Sequence, residues 1–421
     1  YEISLGLVGS EMCIRDRLWS PVQVMNTAID RNFNGRLSVE NRYDYLNLNT
    51  CRFIWQQVKF PSVTDASNTT TRILKQGEVQ GNDVAAHGVG VVDIKTSILP
   101  EADALFLTVI DKYGHELWRW TFPVDKLNRE TEQFSALSGR ASYTETEKGI
   151  TVKANGRTFV FSKEDGQLKD VSVNNRKISF ANGPRFIGAR RADRSLDQFY
   201  NHDDEKAKAK DRTYSEFTDA AVFTKLDVKE EGGNLILTAN YKLGNLDKAQ
   251  WTIHPDGMAT LDYTYNFSGV VDLMGICFDY PEEQVLSKRW LGAGPYRVWQ
   301  NRIHGTQYDI WENDYNDPIP GETFTYPEFK GYFGSVSWMS IRTKEGTISL
   351  TNETPDSYIG VYQPRDGRDR LLYTLPESGI SVLNVIPPVR NKVNSTDLCG
   401  PSSQPKWVDG PQTGRLVLRF E

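Results

Sequence analysis

Tryptophan, tyrosine and arginine residues follow one another closely between residues 288 and 311. Aromatic faces beside forked guanidinium donors suit stacking on sugar rings and hydrogen bonding to sugar hydroxyls. The alternative is a buried tryptophan cluster beside a turn, because most aromatic side chains pack in protein cores. Spacing alone leaves both interpretations open. The residues concerned are Trp290, Tyr296, Arg297, Trp299, Arg302, Tyr308 and Trp311.

The backbone of this stretch carries a second signal. Gly292 and Gly294 allow a tight path, and Pro295 fixes the turn that follows. The run Trp290-Leu-Gly-Ala-Gly-Pro-Tyr, followed by Asn301-Arg302, resembles the W-x-G-x-G-P-x-E-x-Y-x-D-R segment in the last domain of bacterial β-galactosidases, which belong to glycoside hydrolase family 2. That family has an acidic residue soon after Gly-Pro, where this chain has Tyr296-Arg297.

A second segment supports the same resemblance. Residues 326–331, Tyr-Pro-Glu-Phe-Lys-Gly, are similar to the P-Q-E-x-G segment of the family, with the acidic residue one place early at Glu328. A lone carboxylate beside a turn is usually structural, so we assign Glu328 no catalytic role. The candidate sugar-binding residues in this region are Trp299, Arg302, Trp311 and Glu328.

Charged residues between 188 and 202 form a third candidate. β-Galactosidases carry R-A-P-x-D-N-D here, and this chain retains Arg191-Ala192-Asp193. The arginines favour either an ion-pair network that supports an interface or a site for an acidic sugar. We keep Arg191 and Asp193 as candidate substrate-binding residues, and whether the arginines contact substrate or an interface stays open. The charged residues are Arg190, Arg191, Asp193, Arg194 and Asp197.

One departure from the family limits the inference about substrate. β-Galactosidases place a tryptophan of this last domain in the galactose pocket, just before a Leu-Asn pair. The matching run here is Ser381-Val382-Leu383-Asn384, so Val382 replaces that tryptophan. A valine offers no ring face to a sugar. The resemblance therefore does not extend to galactose specificity.

The elements that must position these residues are strands. Residues 18–125 alternate apolar and polar side chains between turns, which predicts an immunoglobulin-like β-sandwich. Asn41-Arg-Tyr-Asp-Tyr-Leu resembles the start of the sandwich that precedes the last domain in family 2 enzymes. Residues 126–148 are polar and predict a linker. The run from Phe161 to Leu168 resembles the start of the family's last domain, which implies a galactose-mutarotase-like β-supersandwich over 149–421. The predicted fold class is all-β.

No catalytic residues, cofactor or metal site are predicted. A retaining glycosidase needs two carboxylates about 5–5.5 Å apart. In family 2 both lie on a TIM barrel of about 250 residues, and this chain has no alternation of strands and helices that would form one. A mutarotase-type reaction would need a histidine and a glutamate, and neither His202 nor His304 shows such a partner. The cysteines fit neither a zinc site nor a disulfide framework, and we expect Cys51 and Cys277 to be core residues.

Net charge and hydropathy limit the classes of partner that this chain can have. The 421 residues carry a net charge of −6 without a basic block, which argues against a nucleic acid. No apolar run approaches the roughly 20 residues of a membrane span. Residues 1–17 resemble a peptide translated from sequencing-adapter DNA and have no signal-peptide pattern, so we expect the natural protein to extend further upstream.

The sequence thus predicts the C-terminal, non-barrel part of a family 2 β-galactosidase-like hydrolase. Its expected partners are a β-linked glycan, the missing catalytic barrel of the same polypeptide and a further copy in a homo-oligomer. We expect a periplasmic or extracellular location for such an enzyme. The alternative is a free-standing carbohydrate-binding or scaffold protein with no enzymatic parent.

Overall fold

The computed structural model describes residues 17–63, 70–124, 139–191, 214–217, 219–314, 331–354, 356–361, 375–388 and 400–421. Strands make up most of this part of the chain, so the prediction of an all-β fold is confirmed. Short 3₁₀ helices occur at Leu48–Thr50, Glu282–Gln284 and Pro401–Ser403. No helix among the described residues has the length and apolar character needed to cross a membrane.

The chain divides into two compact units. The first takes the described residues of 1–128, together with 291–295 and 304–311. The second takes the described residues of 129–290, 296–303 and 312–421.

The first unit is a sandwich of two antiparallel sheets. A three-stranded sheet has the order β1-β2-β5, and a four-stranded sheet has the order β4-β3-β6-β7. Both sheets bury side chains in one core, with Leu37 and Val39 from β2 and Phe53 and Leu107 from β3 and β6. This agrees with the predicted immunoglobulin-like sandwich. The strands are β1 (Val22–Val24), β2 (Arg36–Asn41), β3 (Arg52–Lys59), β4 (Arg72–Gln80), β5 (Val89–Asp93), β6 (Ala104–Ile110) and β7 (Glu116–Pro123).

The second unit begins with a long series of strands in its described part. Their bounds are β8 (Ser142–Glu145), β9 (Gly149–Ala154), β10 (Arg157–Ser162), β11 (Leu168–Val173), β12 (Arg176–Ile178), β13 (Ala181–Arg191), β14 (Tyr214–Glu216), β15 (Val222–Glu231), β16 (Asn234–Lys242), β17 (Leu246–Ile253), β18 (Ala259–Val271) and β19 (Leu273–Asp279). The later strands are β20 (Val285–Gly294), β21 (Gln307–Asp314), β22 (Phe333–Gly334), β23 (Trp338–Thr343), β24 (Thr347–Asn352), β25 (Tyr358–Gly360), β26 (Ile380–Val385) and β27 (Lys406–Phe420). Residues 291–294 of β20 and 307–311 of β21 are counted with the first unit.

These strands form two large sheets that pack face to face. Among the described residues, one sheet has eleven strands along the path β22-β25-β26-β19-β13-β11-β10-β9-β8, with β12 and β14 beside it. The other has nine, in the order β15-β16-β17-β18-β27-β24-β23-β20-β21. Aromatic pairs join them: Phe186 lies 5.4 Å from Tyr265, and Phe180 lies 5.3 Å from Phe420, between ring centroids. The predicted supersandwich is confirmed.

Two polar stretches contain strands that their composition did not predict. Ser142–Glu145 lies within the predicted linker 126–148 and pairs with β9 as strand β8. The charged stretch 203–216 ends in Tyr214–Glu216, which pairs with β13 as strand β14. Residues 203–213 lie outside the described part of the chain. The domain boundaries at 125 and 149 stay predictions.

The cysteines within the described residues behave as core residues. Cys51 and Cys277 are buried free thiols, as expected from their apolar neighbours. Burial raises the pKa of the Cys277 thiol to about 11 and also raises the pKa of Cys51. Both thiols are therefore protonated and unreactive at neutral pH. Cys13 and Cys399 lie outside the described residues.

A buried histidine makes the stability of the fold depend on pH. His254 is almost fully buried, and its Nε2 lies 2.8 Å from Thr260 Oγ1. Burial lowers the pKa of this imidazole below its usual value. As the pH falls through about 6.5, the unfolded chain therefore binds a proton that the folded chain excludes, and the free energy of unfolding decreases.

We predict that replacing His254 by glutamine reduces this loss of stability on the acid side, because the titrating group is gone. The measurement is the free energy of unfolding in denaturant between pH 7 and pH 5. The same comparison between pH 8 and pH 9 is the control, because a histidine imidazole is neutral there and the two proteins should show equal slopes. An equal acid-side slope in His254→Gln and wild type would contradict the assignment.

Candidate functional site

The glycine-rich run ends strand β20 and is buried. Every residue from Trp290 to Gly294 has little exposed surface, so this end of the strand is covered on both faces. Trp290 packs edge-on against Phe333 with ring centroids 4.8 Å apart. Trp290 is therefore a core residue, which agrees with the buried-cluster interpretation.

Gly294 and Gly292 hold the indole of Trp311. A β-carbon at Gly294 would overlap the Trp311 ring, so a side chain at this position would displace the tryptophan. The indole Nε1 of Trp311 donates to the carbonyl of Gly292 at 3.1 Å and to that of Gln307 at 3.2 Å. A glycine at residue 294 is thus required for the close approach of the ring, whereas Gly292 contributes only its carbonyl. Trp311 is half-buried and belongs to the first unit.

Trp299 and Arg302 form a tight turn in the second unit. The amide of Arg302 donates to the carbonyl of Trp299 at 2.8 Å. Trp299 has no exposed surface, and its ring packs edge-on against Tyr332 with centroids 5.8 Å apart. Backbone hydrogen bonds of 2.7 and 2.8 Å pair Val298 with Tyr332. The indole face of Trp299 is therefore covered by protein, which corrects the expectation that this tryptophan stacks on a sugar.

Three polar side chains are buried beside this turn, and we call them the arginine–tyrosine cluster: Arg191, Arg297 and Tyr332. The exposed fractions are 5%, 2% and 1%. The Tyr332 hydroxyl has no hydrogen-bond partner within the described part of the chain. Burial raises the pKa of Tyr332, while the positive charges of Arg191 and Arg297 act in the opposite direction. The three groups therefore lie close enough to influence one another electrostatically.

An aspartate between strands β18 and β19 fixes the end of β13 in the same unit. Asp272 is buried and accepts hydrogen bonds from the backbone amide of Arg191 at 2.8 Å and from Arg190 Nη1 at 2.9 Å. The Arg191 guanidinium donates to the carbonyl of Pro388. Arg190 thus belongs to an ion-pair network, which was one of the two alternatives for this segment. The Arg191 side chain points to a different partner.

The structure brings together some of the predicted site residues. Arg191 and Trp299 lie beside Tyr332 in the second unit, and Arg302 is hydrogen-bonded to Trp299, whereas Trp311 belongs to the first unit. Asp193 and Glu328 lie outside the described residues. Val382 is buried in strand β26, paired with Ile276 and Ile359, so its side chain contacts the core.

The sequence analysis named Arg297 in the aromatic stretch without selecting it as a sugar-binding residue, and it did not name Tyr332. Arg297 stands in the apolar run Pro-Tyr-Arg-Val-Trp, and a charge in such a run indicates a buried ion that needs polar neighbours. Tyr332 gave no comparable signal, because tyrosine is common in cores. Two guanidinium groups and a phenol in a dry environment can donate strong hydrogen bonds to the oxygens of a sugar or a carboxylate.

The fold and the cluster define an all-β protein of two sandwich units, the second a two-sheet supersandwich with buried cationic donors. A family model described as beta galactosidase small chain matches residues 153–383, more than half of the chain. The chain belongs to this family. No curated protein sequence matches the chain.

The solved structures that match this chain include two epimerases. The galactose 1-epimerase from Lactobacillus acidophilus NCFM shares 10% identity with a TM-score of 0.37, over 68% of this chain and 99% of that one. The GalM/aldose epimerase homologue from C. elegans shares 7% identity with a TM-score of 0.33, over 67% and 99%. YidC from Thermotoga maritima shares 14% identity with a TM-score of 0.25, over 67% and 51%.

We predict that Gly294→Ala destabilises the protein by about 1–3 kcal/mol, because the added methyl group displaces the Trp311 ring. Gly400→Ala is the matched control, since a β-carbon there meets nothing, and its effect should stay within about 0.5 kcal/mol. Denaturant unfolding measures both. Equal stability of the two variants would show that Trp311 does not depend on a glycine at residue 294.

Proposed function

We propose that this chain is the C-terminal, non-barrel portion of a glycoside hydrolase family 2 β-galactosidase-like enzyme that hydrolyses terminal β-glycosides. The observation that carries the proposal is the match to the β-galactosidase small chain over residues 153–383. The paired carboxylates that a retaining glycosidase needs would lie on an upstream catalytic barrel. Residues 1–17 would then be an adapter-derived artefact in place of that segment.

The second unit would bind carbohydrate through the arginine–tyrosine cluster. Arg191, Arg297 and Tyr332 supply donors from buried positions, and donors that are already held in place lose little entropy when a ligand binds. Arg302, which follows Trp299 in the same tight turn, would extend this surface. The shielded setting strengthens each hydrogen bond to a sugar oxygen. In the full-length enzyme this unit would form one wall of the active site, and further surfaces would support a homo-oligomer.

The alternative is a free-standing carbohydrate-binding or scaffold protein. It needs the same sugar-binding cluster but no upstream barrel. The DNA upstream of the Leu18 codon in the source sample separates the two. An in-frame barrel with two glutamates at strand ends supports the enzyme, and a start codon with an export signal just before Leu18 supports the free-standing protein.

We predict that the purified chain does not hydrolyse nitrophenyl β-D-galactoside, because the paired carboxylates are expected on the upstream barrel. Release of nitrophenol is measured at several protein concentrations, with the enzyme-free reaction as the background. Turnover that scales with the concentration of this chain would overturn the assignment of hydrolysis to a missing barrel.

A second prediction concerns the cluster. Tyr332→Phe removes only the buried hydroxyl, so affinity for galactose or galacturonate should fall by about ten-fold, the equivalent of about 1.4 kcal/mol. The stability of this variant should not fall, since the hydroxyl has no protein partner within the described residues. Calorimetric titration measures affinity, and denaturant unfolding measures stability.

Tyr265→Phe is the matched control for that experiment. The Tyr265 hydroxyl donates to Asn384 Oδ1 at 2.6 Å, so its loss should lower stability by about 1 kcal/mol and leave sugar affinity unchanged. A Tyr332→Phe protein that binds both sugars as tightly as wild type would contradict a binding role for the cluster. Tighter binding of galacturonate than of galactose would favour an acidic sugar.

A further inference from the structure

The first unit contains a cavity of about 260 Å³ that the proposed function does not use. It lies at strand β7, the edge strand of the four-stranded sheet, and is closed by residues 24–27 and 306–308 of the same unit. Ligand pockets for drug-sized molecules occupy about 300–1,000 Å³. This cavity is therefore large enough for one small ring and too small for an oligomer.

Strand β7 has polar side chains on one face and packs its other face into the core of the sandwich. Trp118 and Trp120 are buried in the core of the sandwich. Successive side chains of a strand point to opposite faces, so Arg119 and Thr121 project away from that core. Thr121 Oγ1 is buried and has no hydrogen-bond partner within the described part of the chain. A buried hydroxyl of this kind is satisfied when a ligand or water occupies the cavity beside it.

Arg119 is held in place on this wall and its charge is compensated. Its guanidinium lies over the Phe106 ring at 4.5 Å from the centroid. It donates to Gln307 Oε1 at 3.1 and 2.8 Å and to Asp309 Oδ2 at 2.8 Å. The ion pair with Asp309 is largely shielded from solvent. Because the carboxylate neutralises Arg119, the wall formed by β7 and residues 306–308 offers no excess positive charge, and the other arginine at the cavity, Arg17, belongs to the predicted adapter segment.

Two side-chain amides at the cavity are oriented by protein hydrogen bonds. Arg119 donates two hydrogen bonds to Oε1 of the Gln307 amide. The amide nitrogen Nε2 therefore points away from Arg119. Asn26 Oδ1 accepts a hydrogen bond from the backbone amide of Ser38 at 2.8 Å. The Asn26 amide nitrogen Nδ2 therefore points away from Ser38. Neither amide nitrogen has a protein hydrogen-bond partner among the residues that the structure describes. The cavity thus combines two fixed amide donors with one hydroxyl that both donates and accepts.

We propose that this cavity binds one neutral pyranose ring, as a saccharide site separate from the arginine–tyrosine cluster. The volume admits a single ring, the compensated charge excludes anions, and the uncharged donors match sugar hydroxyls. The aromatic ring of Tyr308, packed edge-on against Phe60 at 5.8 Å, forms part of the wall and suits the apolar C–H face of a sugar. Residues 24–27 and β7 lie outside the residues 153–383 that match the family model.

The test uses the full chain and a panel of methyl β-D-galactoside, methyl β-D-glucoside and methyl β-D-mannoside, with inorganic phosphate as the charged probe. Thr121→Val removes the hydroxyl and preserves the shape of the side chain. We expect calorimetric titration to detect at least one methyl pyranoside and Thr121→Val to weaken its binding about ten-fold. The melting temperature of the variant should not fall, because the hydroxyl makes no protein hydrogen bond among the described residues.

Two further variants locate the binding. Tyr332→Phe changes the cluster of the second unit, so it should lower the affinity of the pyranoside that Thr121→Val affects by less than Thr121→Val does. Arg17→Ala tests the one cavity residue from the predicted adapter segment and should have no effect. Absence of binding by every pyranoside, binding of phosphate alone, or a loss of affinity in Tyr332→Phe equal to that in Thr121→Val would each overturn the proposal. Failure of the proposed function leaves this test intact, since Thr121→Val should weaken pyranoside binding whether or not the cluster binds a sugar.

Discussion

Aromatic packing between the two large sheets is the contact on which the second unit depends. Trp251 of β17 lies 5.9 Å from Phe161 and 6.0 Å from Phe278, which belong to the opposite sheet. The indole Nε1 of Trp251 is buried without a hydrogen-bond partner among the described residues, which costs about 1–3 kcal/mol. Burial of three large aromatic side chains, each worth about 1.5–3 kcal/mol, outweighs that loss. The strand ends that carry polar groups are therefore fixed before any ligand binds.

The buried charges of the second unit follow from this rigidity. Asp272, between β18 and β19, accepts from the Arg191 amide and from the Arg190 side chain, so it sets where strand β13 ends. Removing ions from water is costly, and apolar residues of similar volume often give equal or greater stability. The retention of Arg191 and Arg297 in the interior is thus poorly explained by stability. Binding, or the selection of one strand register, is the better physical reason.

The sequence predicted the strands more successfully than it predicted which aromatic side chains are buried. The alternation of residues 36–41 indicated a strand with one buried face, and β2 has that pattern. Strand β8 was missed because all four of its side chains are exposed, so pairing with β9 leaves no apolar signal. Trp299 could not be assigned from its neighbours, since its ring is covered by Tyr332, which pairs with Val298 from a distant part of the sequence. The same residue types suit a core and a sugar-binding surface, and only the tertiary contacts separate them.

The two proposed polar sites differ in charge. In the first unit, Asp309 neutralises Arg119, and uncharged amides and a hydroxyl remain to recognise a ligand. Such groups select by shape and by the number of hydroxyls, because an unmatched donor is left unsatisfied. In the second unit, two guanidinium groups share an interior with a single phenol, so oxygens with greater negative charge are preferred. Salt screens exposed charges more than buried ones, so ionic strength should change ligand preference little at either site. The two proposed sites would therefore recognise different parts of a glycan by different physical means.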